Sequence, residues 1–154
     1  MPESKAYEPY SPNAESFTQC LIDLKETIAT TPSPTLVGIR RECFEAVTQG
    51  DALYLRSSDG KVGKAIANDT FDKANVLGFA RTTKASGDIV SVATNGILAI
   101  SGLDAGDIFF LSDSTAGAIT TTAPSAAGRF LTRVGEASSS AEFCIQVEPP
   151  IQLR

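Results

Sequence analysis

The 154-residue chain has no histidine and no tryptophan, and its 13 lysine and arginine residues are outnumbered by 18 aspartate and glutamate residues. Without histidine, Ser-His and Cys-His nucleophilic catalysis are excluded, as are His-bearing zinc or non-haem iron sites. A formal net charge of −5 repels a phosphate backbone and no basic stripe offsets it, so no nucleic acid is expected as a partner. No run approaches the roughly 20 apolar residues that cross a bilayer, and MPESKAYEPYSP at the start has neither a basic n-region nor an apolar h-region. No membrane partner is therefore expected, and the chain is expected to be made and kept in the cytosol. Cysteine is scarce: Cys20, Cys43 and Cys144 are widely spaced and form no CxxC. That spacing argues against a disulfide framework or a zinc site and for buried free thiols, with Cys144 acting as a small hydrophobe inside the apolar run EFCIQV.

What is present suits β structure. Hydrophobic residues make up 42% of the chain, enough for one core, and 12 glycines and 8 prolines imply frequent turns. The chain reads as two regions, an N-terminal arm, helix and linker over 1–34 and a β domain over 35–154. In residues 1–13, Pro2, Pro9 and Pro12 oppose helix, and no apolar period appears. This predicts an extended arm, either a loose tail or, because Tyr7 and Tyr10 are unusual in disorder-prone composition, one that orders against a neighbour. Over SFTQCLIDLKETIA, residues 16–29, Phe17, Leu21, Leu24 and Ile28 trace one helix face, with Ser16 and Gln19 as a capping box. So short a helix is marginal alone and needs its stripe packed, either within its own domain or against another subunit. TTPSP, at 30–34, ends it as a stiff linker.

From Thr35 on, the period changes. Short β-branched and aromatic runs alternate with turn chemistry: TLVGIR, CFEAV, ALYLRS, KVGKAIA, NVLGFART, DIVSVAT, GILAIS, DIFFLSD, AITTT, RFLTRVGEA and EFCIQV. Such spacing predicts an antiparallel sandwich or barrel. Asp59-Gly60 and Asn95-Gly96 predict tight hairpins, and the Thr-rich AITTTAP predicts a solvent-facing edge strand ended by Pro124.

The chain also resembles itself. QGDALYLRSSDGKVGKAIA is answered by AGDIFFLSDSTAGAITTTA: Gly50-Asp51 aligns with Gly106-Asp107, Gly60 with Gly117, and NVLGFA with TRVGEA after one inserted residue. A third Gly-Asp, Gly87-Asp88, opens another strand. Glycine supplies a tight entry and aspartate bonds nearby amides, so the pattern predicts an internal duplication rather than a reactive site. GKVGKA lacks the spacing and terminal Ser/Thr of a phosphate loop and reads as a turn. Asp104, Asp107 and Asp113 fit no calcium loop and read as turn residues. Neither a cofactor nor a metal is expected.

The phrases GDALYLRSSDGKVGKA, VLGFA, AGDIFFLSDSTAGAITTTAPSAAGRFLTRVGEA and IQVEPPIQL resemble a pattern in small structural proteins of tailed bacteriophages, especially capsid decoration (cement) proteins. The resemblance covers Glu45 to Leu153. It implies a non-enzymatic virion protein on the capsid surface, assembled in the host cytoplasm, whose partners are the major capsid protein and its own copies in a homotrimer. It also implies Tyr7 and Tyr10 as arm anchors at the capsid or subunit interface, and Phe17, Leu21, Leu24 and Ile28 as packing residues of the helix. The alternative with the same β pattern is a receptor- or glycan-binding module of a tail or head fibre, though heptads for a fibre shaft are absent.

Overall fold

The chain divides into two units after Pro34, and a computed structural model describes residues 37–154 of the second. The expected arm, helix and linker, with Tyr7, Tyr10, Phe17, Leu21, Leu24 and Ile28, lie outside the described residues.

The described chain is mainly β. It runs β1 (Val37–Glu42), β2 (Ala52–Leu55), β3 (Val62–Lys64), α1 (Phe71–Ala74), β4 (Val76–Ala80), β5 (Ile89–Ala99), β6 (Ile108–Leu111), β7 (Ile119–Thr120), β8 (Phe130–Leu131), β9 (Arg133–Ser139), β10 (Glu142–Ile145) and β11 (Ile151–Gln152). One sheet has the order β3-β2-β4-β5-β10-β9-β6-β7, with β1 added beside β5, and β8 pairs with β11 separately. Every strand pair in both sheets is antiparallel. The large sheet curls into a half-barrel, and backbone hydrogen bonds tie its two ends. Ala52 N–H donates to Gly117 O (2.8 Å), Gly117 N–H to Ala65 O (2.7 Å) and Ala67 N–H to Ser112 O (3.0 Å).

Inside the curl, Phe143 stands at the centre of an aromatic row, 5.3 Å from the Phe79 ring and 5.7 Å from the Phe109 ring, both edge-on. Phe79 and Phe143 are fully buried. A second apolar group, Cys43, Val47, Leu53, Val62, Ala80, Val90 and Val92, fills the opposite face of the β2–β4–β5 region. Strands buried on both faces explain why ALYL and VLGFA read as near-continuous apolar runs rather than alternating ones.

One expected hairpin is absent. Asn95-Gly96 does not turn the chain: β5 runs unbroken from Ile89 to Ala99. Gly96 adopts φ of 102°, and its N–H is capped by Asn95 Oδ1 at 2.8 Å. Glycine reaches positive φ without a Cβ clash, so the dipeptide that makes hairpins kinks a long strand here. Before the kink β5 pairs with β1 and β4, and after it with β10.

The two strand sets on either side of the kink share their details. Gly50 N–H donates to Ala80 O, and Gly106 N–H to Ala137 O, each at 2.8 Å. Ala80 N–H returns to Asp51 O and Ala137 N–H to Asp107 O, each at 2.9 Å. Gly50 and Gly106 hold φ of 93° and 92°. The β2–β4 ladder shifts register between Leu53 and Tyr54, the β6–β9 ladder between Phe109 and Phe110.

Cysteine requires a correction. Cys43 is free and buried, its thiol donating to Ala85 O (3.1 Å) and Asp88 O (3.3 Å). Cys144 is disulfide-bonded rather than free.

Candidate interaction surface

The turn between β2 and β3 is filled by its own side chains. The β2–β3 hairpin closes with Arg56 N–H to Lys61 O (2.7 Å) and Gly60 N–H to Arg56 O (2.8 Å). Arg56 clasps Asp59 through Nε to Oδ1 (3.1 Å) and Nη2 to Oδ2 (2.6 Å), while Lys61 N–H donates to Asp59 Oδ1 (3.1 Å). The Arg56 guanidinium also lies 3.7 Å over the Phe44 ring, which meets Tyr54 edge-on at 6.0 Å. Lys61 pairs with Glu42 at 3.1 Å. Of the two lysines that gave GKVGKA the look of an anion site, Lys61 is thus engaged by a carboxylate.

The Arg56 hydrogen bonds and the Lys61 amide pull the Asp59 carboxyl down from 3.8 to about 2. A depressed carboxyl supports the fold fully above its unfolded pKa and loses that support as pH falls toward 2. NMR titration of the Asp59 carboxyl should give a midpoint near 2, and Arg56→Ala should return it toward the ordinary range. A midpoint unmoved by Arg56→Ala would contradict the clasp.

The other acidic turns are equally local. Asp51 Oδ2 accepts Thr48 N–H at 2.8 Å, and Asp88 Oδ2 accepts Ala85 N–H at 3.3 Å, so two of the three Gly-Asp turns use the carboxylate to cap an amide. Burial pushes the Asp51 carboxyl up, against the Thr48 amide and Lys64, which pull it down. Asp107 N–H donates to Asp104 O (3.1 Å), whereas the Asp113 carboxylate turns to Arg129 at 3.4 Å. Among the described residues no group of three or more His, Cys, Asp or Glu could hold a metal ion. The Thr-rich segment supplies β7, which sits at one end of the sheet and, among the described strands, pairs with β6 alone.

The distinctive surface lies at β1. This strand is exposed or half-buried along its whole length, and among the described strands its ladder is with β5, while β3 meets the chain just past its end at the Cys43–Val62 bridge. Arg40 stands opposite Ser91 and Arg41 opposite Val90. Ser91 O in turn accepts Arg81 N–H at 2.9 Å, which places Arg40, Ser91 and Arg81 in one row across three strands. Among the described residues Arg40, Arg41 and Arg81 enter no ion pair. Val37, 57% exposed, and Ile89, 47% exposed, stand at opposite ends of the β1–β5 ladder, paired with Asn95 and Glu42. The sequence reading placed a strand at TLVGIR, whereas β1 runs over VGIRRE, and it missed that this strand lies at an edge among the described residues. The adjacent arginines were the available signal, because charged side chains are how sheets guard such edges.

No protein-family model matches the chain, and no curated protein matches it either.

Proposed function

We propose that the chain is a capsid decoration protein. It binds the outer surface of a phage head as a homotrimer and stabilises contacts between major capsid subunits. The observation that carries this reading is the recurring Gly-Asp, strand, turn and strand phrase, spread from Glu45 to Leu153, which resembles that of phage decoration proteins. We also infer that the β domain arose by duplication. Its strand order supports this, since exchanging β2 with β6, β3 with β7, β4 with β9 and β5 with β10 turns the order β3-β2-β4-β5-β10-β9-β6-β7 into its own reverse. The matched hydrogen bonds of Gly50 and Gly106 support it too.

The mechanism is mechanical. A head under internal DNA pressure fails where subunits separate, and a clamp that engages several subunits at once raises the cost of parting any pair. Multivalency supplies that gain without exceptional affinity at any single contact. An arm that orders on binding covers a large surface at the expense of ordering entropy, and Tyr7 and Tyr10 give contact area at small rotamer cost. Deleting residues 1–13 should weaken binding to undecorated heads at least about tenfold, or about 1.4 kcal/mol, while leaving thermal unfolding of the β domain unchanged. Undiminished binding would remove the arm from the mechanism.

A fibre module that binds receptors or glycans is the second reading, favoured by the exposed threonines that follow β7. Binding of the purified protein to cell surfaces but not to heads would select it.

A further inference from the structure

We propose that copies of the chain join head to tail, the cationic end of one strand set docking on the acidic end of the other strand set in a second copy. This rests on the homotrimer reading and names the two faces that meet. On the first set, Arg40 stands opposite Ser91, and Arg81 N–H donates to Ser91 O at 2.9 Å, so the two arginines flank one residue of β5. Lys84 follows in the loop from β4 to β5, where its backbone exchanges two hydrogen bonds of 2.9 Å with Val47. Arg40 and Arg81 are exposed. Among the described residues none of these three cations enters an ion pair.

The second set carries the opposite sign at the matching place. Gly78 approaches Ala93 O and a methyl of Val92 as Gly135 approaches Cys144 O and the Phe143 ring, which matches Val92 with Phe143 and, one residue back, Ser91 with Glu142. Glu142 faces Ala99 across the ladder as Ser91 faces Arg40. Leu103 N–H donates to Ser140 O (3.1 Å) and Gly106 N–H to Ala137 O (2.8 Å), which holds the turn bearing Asp104 and Asp107 beside the β9–β10 hairpin. Among the described residues Asp104, Asp107 and Glu142 enter no ion pair. No lysine or arginine occurs between Lys84 and Arg129 or between Arg133 and Arg154 to neutralise them, while Arg129 is engaged by Asp113 and Arg133 by Glu136 and Glu148. Two ends of like sign repel, whereas unlike ends complement each other, and a second copy presents the end that each face requires. A contact between two different faces is heterologous, and it closes into a ring where the rotation between copies permits.

The test is the mass of the full chain in solution by light scattering at micromolar concentration, for the wild type, R40E/R81E, D104K/E142K and an equal mixture of the two variants. The wild type should be an oligomer. Each variant alone presents like charge at both ends, so its dissociation constant should rise at least about tenfold, while its thermal unfolding stays that of the wild-type domain. The equal mixture should reassociate, because every cationic end then finds an acidic one, a rescue that misfolded variants would not give. A monomeric wild type, variants that associate as tightly as wild type, or a mixture that stays dissociated would each overturn the proposal. Binding to heads is read separately: a monomeric wild type that binds heads sinks this inference and spares capsid binding, and an oligomer that ignores heads sinks only the decoration reading.

Discussion

Phe143→Ala is expected to lower stability by about 3–5 kcal/mol, the range for deleting a fully buried aromatic ring. Phe143 is 0% exposed and its ring meets both Phe79 and Phe109, so its loss opens a cavity and removes two edge-to-face contacts together. Phe79 sits on β4 of one strand set and Phe109 on β6 of the other, which makes Phe143 the packing link between them. Urea unfolding checks the prediction. In a double-mutant cycle, Phe79→Ala and Phe143→Ala should cost less together than the sum of the two alone, because they share a contact. A loss below about 1 kcal/mol for Phe143→Ala would mean that the aromatic row does not hold the domain.

Gly135→Ala and Gly78→Ala should each cost about 1–3 kcal/mol through overpacking. A methyl on Gly135 would collide with the carbonyl oxygen of Cys144 and the ring of Phe143. A methyl on Gly78 would collide with the carbonyl oxygen of Ala93 and a methyl of Val92. The two glycines hold equivalent places, one where β4 meets β5 and the other where β9 meets β10. In each place a backbone carbonyl blocks the space, and it cannot swing aside as a flexible side chain could. Gly87→Ala is the control. Gly87 has φ of 93° with nothing within 4 Å of an added Cβ, so only its backbone conformation resists the change, at about 1–2 kcal/mol. Calorimetric melting of the three variants should therefore rank Gly135→Ala as most disruptive. A Gly135→Ala protein as stable as wild type would contradict the close approach.

Much of this fold was legible because its strands are short and sharply punctuated. The apolar runs of β2, β4, β6 and β10 and the Gly-Asp entries before β2, β5 and β6 can be read directly, since glycine and aspartate have few competing reasons to recur together before an apolar run. Gly96 was misread because a left-handed glycine serves a hairpin and a kinked strand equally well, and only the pairing of Ile97 and Leu98 with β10 distinguishes them. The helix α1 escaped notice because four residues cannot show a period. Its signal was the cap, Thr70 Oγ1 accepting Lys73 N–H at 3.2 Å. RFLTRVGEA looked like one strand but breaks at Thr132, whose buried hydroxyl donates to Ala74 O at 2.9 Å and draws the chain inward. The edge position of β1 was legible only in part: Arg40 and Arg41 hint at an edge, but which strands lie alongside is set by the rest of the sheet. Tyr7, Tyr10 and the helical stripe remain sequence expectations, outside the described residues.

The decoration reading turns on contact with a phage head. The most direct measurement is to mix the purified full-length chain with heads of the parent phage assembled without it, sediment the mixture, and image the pelleted particles. The account predicts saturable co-sedimentation, added density on the outer surface where major capsid subunits meet, and heads that withstand higher temperature than undecorated ones. Heads that pellet bare at saturating protein, with no gain in resistance, would contradict it.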